Sequence, residues 1–132
     1  MIFVDTNVIL DVITADETWL DWSSEQLDKY RKSGSLHINE VGYAELSVHA
    51  KTQAGLDAAL DELNIKLDRT PKEALFVAAK AFLRYRSAGG PRLTILPDFF
   101  IGAHAEISHR PLLTRDPRRF RTHFPKVKLI TP

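Results

Sequence analysis

The sequence predicts an α/β fold: a central parallel sheet of about four to five short strands flanked by helices. Three observations carry that expectation. Apolar runs of strand length alternate with longer amphipathic segments of helical period. Helix-capping residues and glycine or proline breakers separate them. Acidic residues stand where the apolar runs break, which suits ligand binding at the carboxyl edge of a parallel sheet.

In chain order, Met1 to Val4 reads as a short buried strand. Thr6 and Asn7 then supply cap-type side chains for a helix through Val8, Ile9, Val12 and Ile13. A second helix is expected over roughly 17–32, with Leu20, Ser23, Leu27 and Tyr30 on one face and Gly34 beyond its end. Leu36-His37-Ile38 reads as a strand, and Asn39 as the N-cap of a helix carrying Glu45. A further helix spans about 55–63. Thr70-Pro71-Lys72-Glu73 has the form of a capping box with proline at the first helical position, opening a helix to about Ser87. Gly89-Gly90-Pro91 ends it, and 87–97 reads as a long loop. Another helix starts near Asp98, which follows Pro97 and has an N-cap's side chain. Leu112-Leu113-Thr114 and Val127-Lys128-Leu129-Ile130 complete the set as buried strands.

The length of 132 residues favours one domain over 1–132. No apolar run approaches the roughly 18 residues of a membrane span. The first residues lack a basic n-region and a small-residue cleavage site, so a secretory signal is not expected. With no cysteine in the chain, disulfides, thiolate metal sites and a cysteine nucleophile are excluded, and a cytoplasmic protein is the simplest expectation. The net charge of +1 hides an asymmetry: residues 1–65 carry 12 acids and 4 bases, residues 66–132 carry 5 acids and 14 bases. The densest basic stretch holds Arg110, Arg115, Arg118, Arg119, Arg121, Lys126 and Lys128, opposed only by Asp116. Such a segment either steers a polyanion or forms a solvated face; its overlap with Asp116 favours the first.

Asp5, Glu45, Asp98 and Asp116 are the candidate site. Each sits at a break in apolar sequence, where a carboxylate is costly to bury unless a cation neutralises it. Gathered at one sheet edge they would repel, and a divalent ion is the usual remedy. Hard oxygen donors suit Mg²⁺ or Mn²⁺, and the lack of cysteine and of paired histidines argues against zinc. Singly, each acid has a structural explanation: Asp5 and Asp98 as helix caps, Asp116 as an Asx-turn residue before Pro117, Glu45 as the margin of a buried helix face. Their joint placement points to metal-dependent phosphodiester chemistry.

Four segments, in order, resemble the motifs of PIN-domain ribonucleases: Ile2-Phe3-Val4-Asp5-Thr6-Asn7, Glu45-Leu46, Pro97-Asp98-Phe99-Phe100-Ile101-Gly102-Ala103-His104-Ala105, and Leu113-Thr114-Arg115-Asp116-Pro117-Arg118-Arg119-Phe120. The chain is most similar to the toxin of VapBC-type toxin–antitoxin pairs. The resemblance covers essentially the whole chain and implies a three-layer PIN-like fold. It further implies that Asp5, Glu45, Asp98 and Asp116 bind Mg²⁺ or Mn²⁺, with Thr6 and Asn7 supporting Asp5 and Thr114 supporting Asp116. An RNA substrate, a cognate antitoxin and a homodimer follow from it as expected partners. Hydrolysis by water would leave 5′-phosphate and 3′-hydroxyl ends, with Arg115, Arg118 and Arg119 holding substrate phosphates.

Other assignments have recognisable requirements. A haloacid-dehalogenase-type phosphatase wants a second Asp at the position of Asn7, and a receiver domain needs a late lysine in a constellation not found here. A PIN-like RNA- or protein-binding module without catalysis is the remaining alternative. His104, where the family often carries a small or hydroxyl residue, is expected to be a packed, hydrogen-bonded residue, and Glu40 a first-turn acid favoured by the helix dipole. Trp19 and Trp22, three apart, are open to core and interface roles alike.

Overall fold

A computed structural model describes residues 1–91 and 95–132. The chain runs β1 (Ile2–Val4), α1 (Thr6–Ile13), α2 (Leu20–Ser33), β2 (Leu36–Asn39), α3 (Glu40–His49), α4 (Gln53–Glu62), β3 (Ile65–Asp68), α5 (Lys72–Ser87), α6 (Pro97–Ile107), β4 (Leu112–Leu113), α7 (Arg118–His123) and β5 (Leu129–Ile130). All strands pair in parallel, in the order β3-β2-β1-β4-β5.

The period-2 alternation of side chains sends the strands' residues to two cores. Phe3 and Leu112 join Ala74, Ala78, Phe82, Phe99 and Phe124 under α5, α6 and α7. Val4, Leu113, Leu36 and Ile38 join Val8, Ile9, Leu27, Leu46 and Leu56 under α1 to α4. This is a three-layer arrangement of helices, sheet and helices, as the PIN-like reading required. His104 is buried and packed: its ring lies 4.4 Å from that of Phe3 and its Nδ1 3.3 Å from Asn39 Nδ2. The close approach of α6 and α7 depends on Gly102, where a Cβ would overlap the Phe124 ring.

The chain steps outward from β1 to β2 and β3, then returns to build β4 and β5 on the other side of β1. The crevice beyond the carboxyl ends of β1 and β4 is therefore a topological switch point, where parallel sheets place ligands.

Several elements differ from the sequence expectation. Strand β3 is not visible as an apolar run, because it is an edge strand in which only Ile65 is buried. The second helix starts at Leu20 instead of 17, since the Asp16 carboxylate accepts the backbone N–H groups of Thr18 (3.0 Å) and Trp19 (2.9 Å) and holds a turn there. Helix α4 begins before Gly55, with Thr52 capping it through the Gly55 N–H at 3.0 Å. The capping box at 70–73 does not form. Pro71 is the N-cap, and Thr70 donates its N–H (2.8 Å) and hydroxyl (3.0 Å) to Glu40. Glu40 thus ties the start of α5 to α3 besides occupying the first turn of α3. Asp98 is not the cap of α6; Leu96 takes that place and Pro97 precedes Asp98 inside the helix. The final strand is shorter than expected, Leu129–Ile130. Of the loop expected over 87–97, residues 92–94 lie outside the described residues.

Candidate active site

Asp5 leaves β1 at the N-cap position of α1, yet its side chain does not cap the helix. Instead its Oδ2 accepts a 2.8 Å hydrogen bond from the Thr114 hydroxyl, which arrives from the end of β4. The same hydroxyl oxygen accepts the Asp116 N–H at 3.1 Å and the Asn7 side-chain amide at 3.4 Å. Thr6 donates to Glu45 Oε1 at 3.2 Å and lies a long 3.5 Å from Asp5 Oδ1, so its proton belongs to Glu45. Glu45 comes from α3 and Asp98 from the first turn of α6. Asp5, Glu45, Asp98 and Asp116 line one open cleft of about 700 Å³, together with Thr6, Asn7, Arg118 and Arg119.

The electrostatics divide the carboxylates into two kinds. Asp5 is 4% exposed. Burial pushes its carboxyl from an ordinary 3.8 up to about 7, with the negative charges of Asp98 and Glu45 adding to the effect and the Thr114 bond opposing it. Burial also raises Glu45 and Asp98 above the usual carboxylate range, against the Thr6 hydrogen bond on Glu45 and the Arg119 guanidinium beside Asp98. Arg119 Nη1 donates to Asp98 Oδ2 at 2.9 Å. Asp116 is the outlying member: Arg118 grips it with two hydrogen bonds, 3.0 and 3.1 Å, and holds its carboxyl low.

Arg115 does not line the cleft. Its Nε donates to Asp11 at 2.9 and 3.1 Å, and its guanidinium sits 5.5 Å above the centre of the Trp19 ring. Asp11 is 2% exposed and also accepts the Ser23 hydroxyl at 2.7 Å. Trp22 meets Trp19 edge-on at 6.0 Å, both half-buried. Asp11 is not among the acids expected in the site, although it too interrupts an apolar run, Val8-Ile9-Leu10-Asp11-Val12-Ile13. Thr122 and His123, likewise absent from the expected site, line the cleft from α7. No apolar pattern marks a helix as short as α7, so the sequence held no signal for them.

Among the described residues, no three Asp, Glu or His side chains converge closely enough, as they stand, to hold one ion. Asp98 and Asp116 are turned to arginines instead. The donor chemistry nonetheless fits a hard divalent cation. All the candidate ligands are carboxylates, and burial together with mutual repulsion disfavours the charged forms of Asp5 and Glu45, which a divalent cation would offset. Asn7, which lines the same cleft, keeps its Oδ1 buried with no hydrogen-bond partner, a polar acceptor left unsatisfied beside the carboxylates.

The PIN domain family model matches residues 2–124, and the chain belongs to that family. No curated protein matches it. Among solved structures, it is similar to VapBC2 from Rickettsia felis, bound there to a promoter DNA fragment, at 18% identity and a TM-score of 0.74, covering 99% of this chain and 98% of that one. A toxin–antitoxin complex from Klebsiella pneumoniae is similar at 17% identity and a TM-score of 0.70, over 100% and 98% of the two chains. VapBC-1 from nontypeable Haemophilus influenzae follows the same pattern, at 18% identity and a TM-score of 0.71, over 99% and 98%. No helix among the described residues is long and apolar enough to cross a membrane.

Proposed function

We propose that this protein is a Mg²⁺- or Mn²⁺-dependent endoribonuclease, acting in the cytoplasm as the toxin of a type II toxin–antitoxin pair. The observation that carries the reading is the meeting of Asp5, Glu45, Asp98 and Asp116 in one cleft with two arginines at its edge. The toxin–antitoxin assemblies among its structural neighbours support an antitoxin as partner. A homodimer is the expected assembly, and 1–132 the expected single domain.

Asp5, Glu45 and Asp98 would hold the cation, with Asp116 the outermost ligand. Bound there, the cation would acidify water for attack on the phosphodiester and stabilise the departing 3′-oxygen. Thr114 holds Asp5 by its 2.8 Å bond and Thr6 holds Glu45, so both carboxylates are pre-oriented toward the cleft. Arg119 and Arg118 pair with Asp98 and Asp116 at the cleft edge, and with those carboxylates engaged elsewhere the two guanidiniums would be free to grip substrate phosphates. Arg115, committed to Asp11, acts by holding the Asp116 segment against α1.

A second reading has its own support. The ion pairs Arg119–Asp98 and Arg118–Asp116 already neutralise half the quartet, as they would in a catalytically weak module that binds RNA or protein. Expression in a bacterial host distinguishes the two. The nuclease reading predicts growth arrest by the wild-type chain and none by Glu45→Gln at matched soluble levels; equal tolerance of both forms contradicts it.

A further inference from the structure

A second hollow of about 350 Å³ lies where α5 meets the end of α6 and the segment after α7, and His123 lines both it and the carboxylate cleft. The second hollow is walled by Phe76, Lys80, Arg84 and Lys126, with Glu106 its one acid. Phe76, Lys80 and Arg84 are spaced four residues apart, so they stand in a row along one face of α5. Phe76 is 65% exposed. The Lys80 ammonium lies 5.1 Å from the centre of its ring. None of Lys80, Arg84 and Lys126 forms an ion pair with a described residue, unlike Arg118 and Arg119 in the cleft.

Folding alone gives little reason for this row. A large aromatic side chain left in water costs the fold the burial it could have had, and the described residues leave most of Phe76 uncovered. Aromatic rings interleaved with unpaired cations along a groove are how proteins hold single-stranded nucleic acid: bases stack on the ring while the cations follow the phosphates. Beyond the effect of its own burial, His123 has its proton affinity lowered by Arg119 on the cleft side and by Arg84 on the other.

We propose that the α5 hollow is the extended substrate track of the cleft, in which a single-stranded RNA lays a base on Phe76 and flanking phosphates on Lys80, Arg84 and Lys126. The inference rests on the nuclease reading for its substrate class and adds where the strand goes. It predicts that recognition reaches beyond the scissile phosphate, so that short and long RNAs are distinguished by residues remote from the carboxylates.

The test is fluorescence anisotropy with labelled oligouridylates of two lengths, a dinucleotide and a strand long enough to span both hollows. All proteins carry Glu45→Gln to prevent cleavage. Lys80→Glu/Arg84→Glu should weaken binding of the long strand by on the order of ten-fold or more and lower its log–log salt slope by about 1.4, two single-strand phosphate contacts at about 0.7 each. Dinucleotide binding should not change. Phe76→Ala, at a mostly exposed position, should weaken the long strand about ten-fold with the salt slope kept, as loss of a stacked base does. An unchanged affinity and slope for the long strand overturns the track. So does an unchanged RNA affinity accompanied by a shift in molar mass by light scattering, which would make the hollow a protein interface. If the parent protein binds neither RNA, the nuclease reading fails as well; if it binds both and the α5 variants match it, only the track fails.

Discussion

Replacing Asp5 with Asn should stabilise the metal-free protein at neutral and alkaline pH. Burial and the neighbouring charges of Asp98 and Glu45 lift the folded-state value of Asp5 from an ordinary 3.8 to about 7. The folded protein therefore binds this proton more tightly than the unfolded chain does, and stability falls as pH rises from about 4 to about 7. Below that window Asp5 is protonated in both states and has no effect; above it the whole penalty applies. At 1.36 kcal/mol per pH unit the interval sets an upper limit of about 4 kcal/mol, and relaxation of the cleft brings the expected figure to about 2–4 kcal/mol. Asn carries no charge and still offers an oxygen to the Thr114 hydroxyl. Urea unfolding in EDTA should show Asp5→Asn ahead of wild type by that amount near pH ~8 and level with it near pH ~3.5. Adding Mg²⁺ should stabilise wild type, because the ion binds only the folded state, and should help the variant far less. Equal or lower stability of Asp5→Asn near pH ~8, with an unchanged m-value, would refute the claim that Asp5 is held against its own charge.

Other outcomes follow from the same structure. Arg115→Ala strands the buried Asp11 carboxylate with only the Ser23 hydroxyl, and should cost about 3 kcal/mol by urea unfolding. Asp11→Asn should cost less, since Arg115 is partly exposed and can turn to water; the reverse order would sink that account. Charge reversal of Arg118 and Arg119 should weaken RNA binding across sequences and flatten the salt dependence by about 0.7 per lost phosphate contact. It should also leave apo Asp98 and Asp116 without partners, so a divalent ion should raise the melting temperature more than in wild type. An unchanged salt slope would assign both arginines to the carboxylates alone.

The parts of the site that were readable from sequence lay where one backbone rule decides the geometry. Asp5 ends an apolar strand and Asp116 follows another, and in a parallel sheet such positions share an edge. Glu45 and Asp98 were readable as acids at apolar margins, but the cap predicted at Asp98 belongs to Leu96, because Pro97 fits the first helical position and moves the helix start back. The same apolar-break criterion also picks out Asp11, which proves to be neutralised by Arg115. Whether a buried acid faces a cleft or a partner cation depends on contacts 104 residues apart in the chain, and no local pattern encodes that. Strand β3 escaped for a related reason: an edge strand with Lys66 and Leu67 exposed has no apolar run to read. At Thr70 a local signal was overridden by a tertiary one: its N–H and hydroxyl both donate to the Glu40 carboxylate, and the helix starts one residue later with Pro71 as its N-cap.

The central claim is that the quartet works as one cation-dependent catalytic unit. Its most direct measurement is cleavage of a panel of single-stranded and structured RNAs by purified protein, with Mg²⁺, with Mn²⁺ and with EDTA, for wild type and Glu45→Gln side by side. The account predicts cleavage by wild type only with the added ion, products ending in 5′-phosphate and 3′-hydroxyl, and a Glu45→Gln variant that is folded but inactive. Cleavage that persists in EDTA, or that survives undiminished in Glu45→Gln, would contradict it.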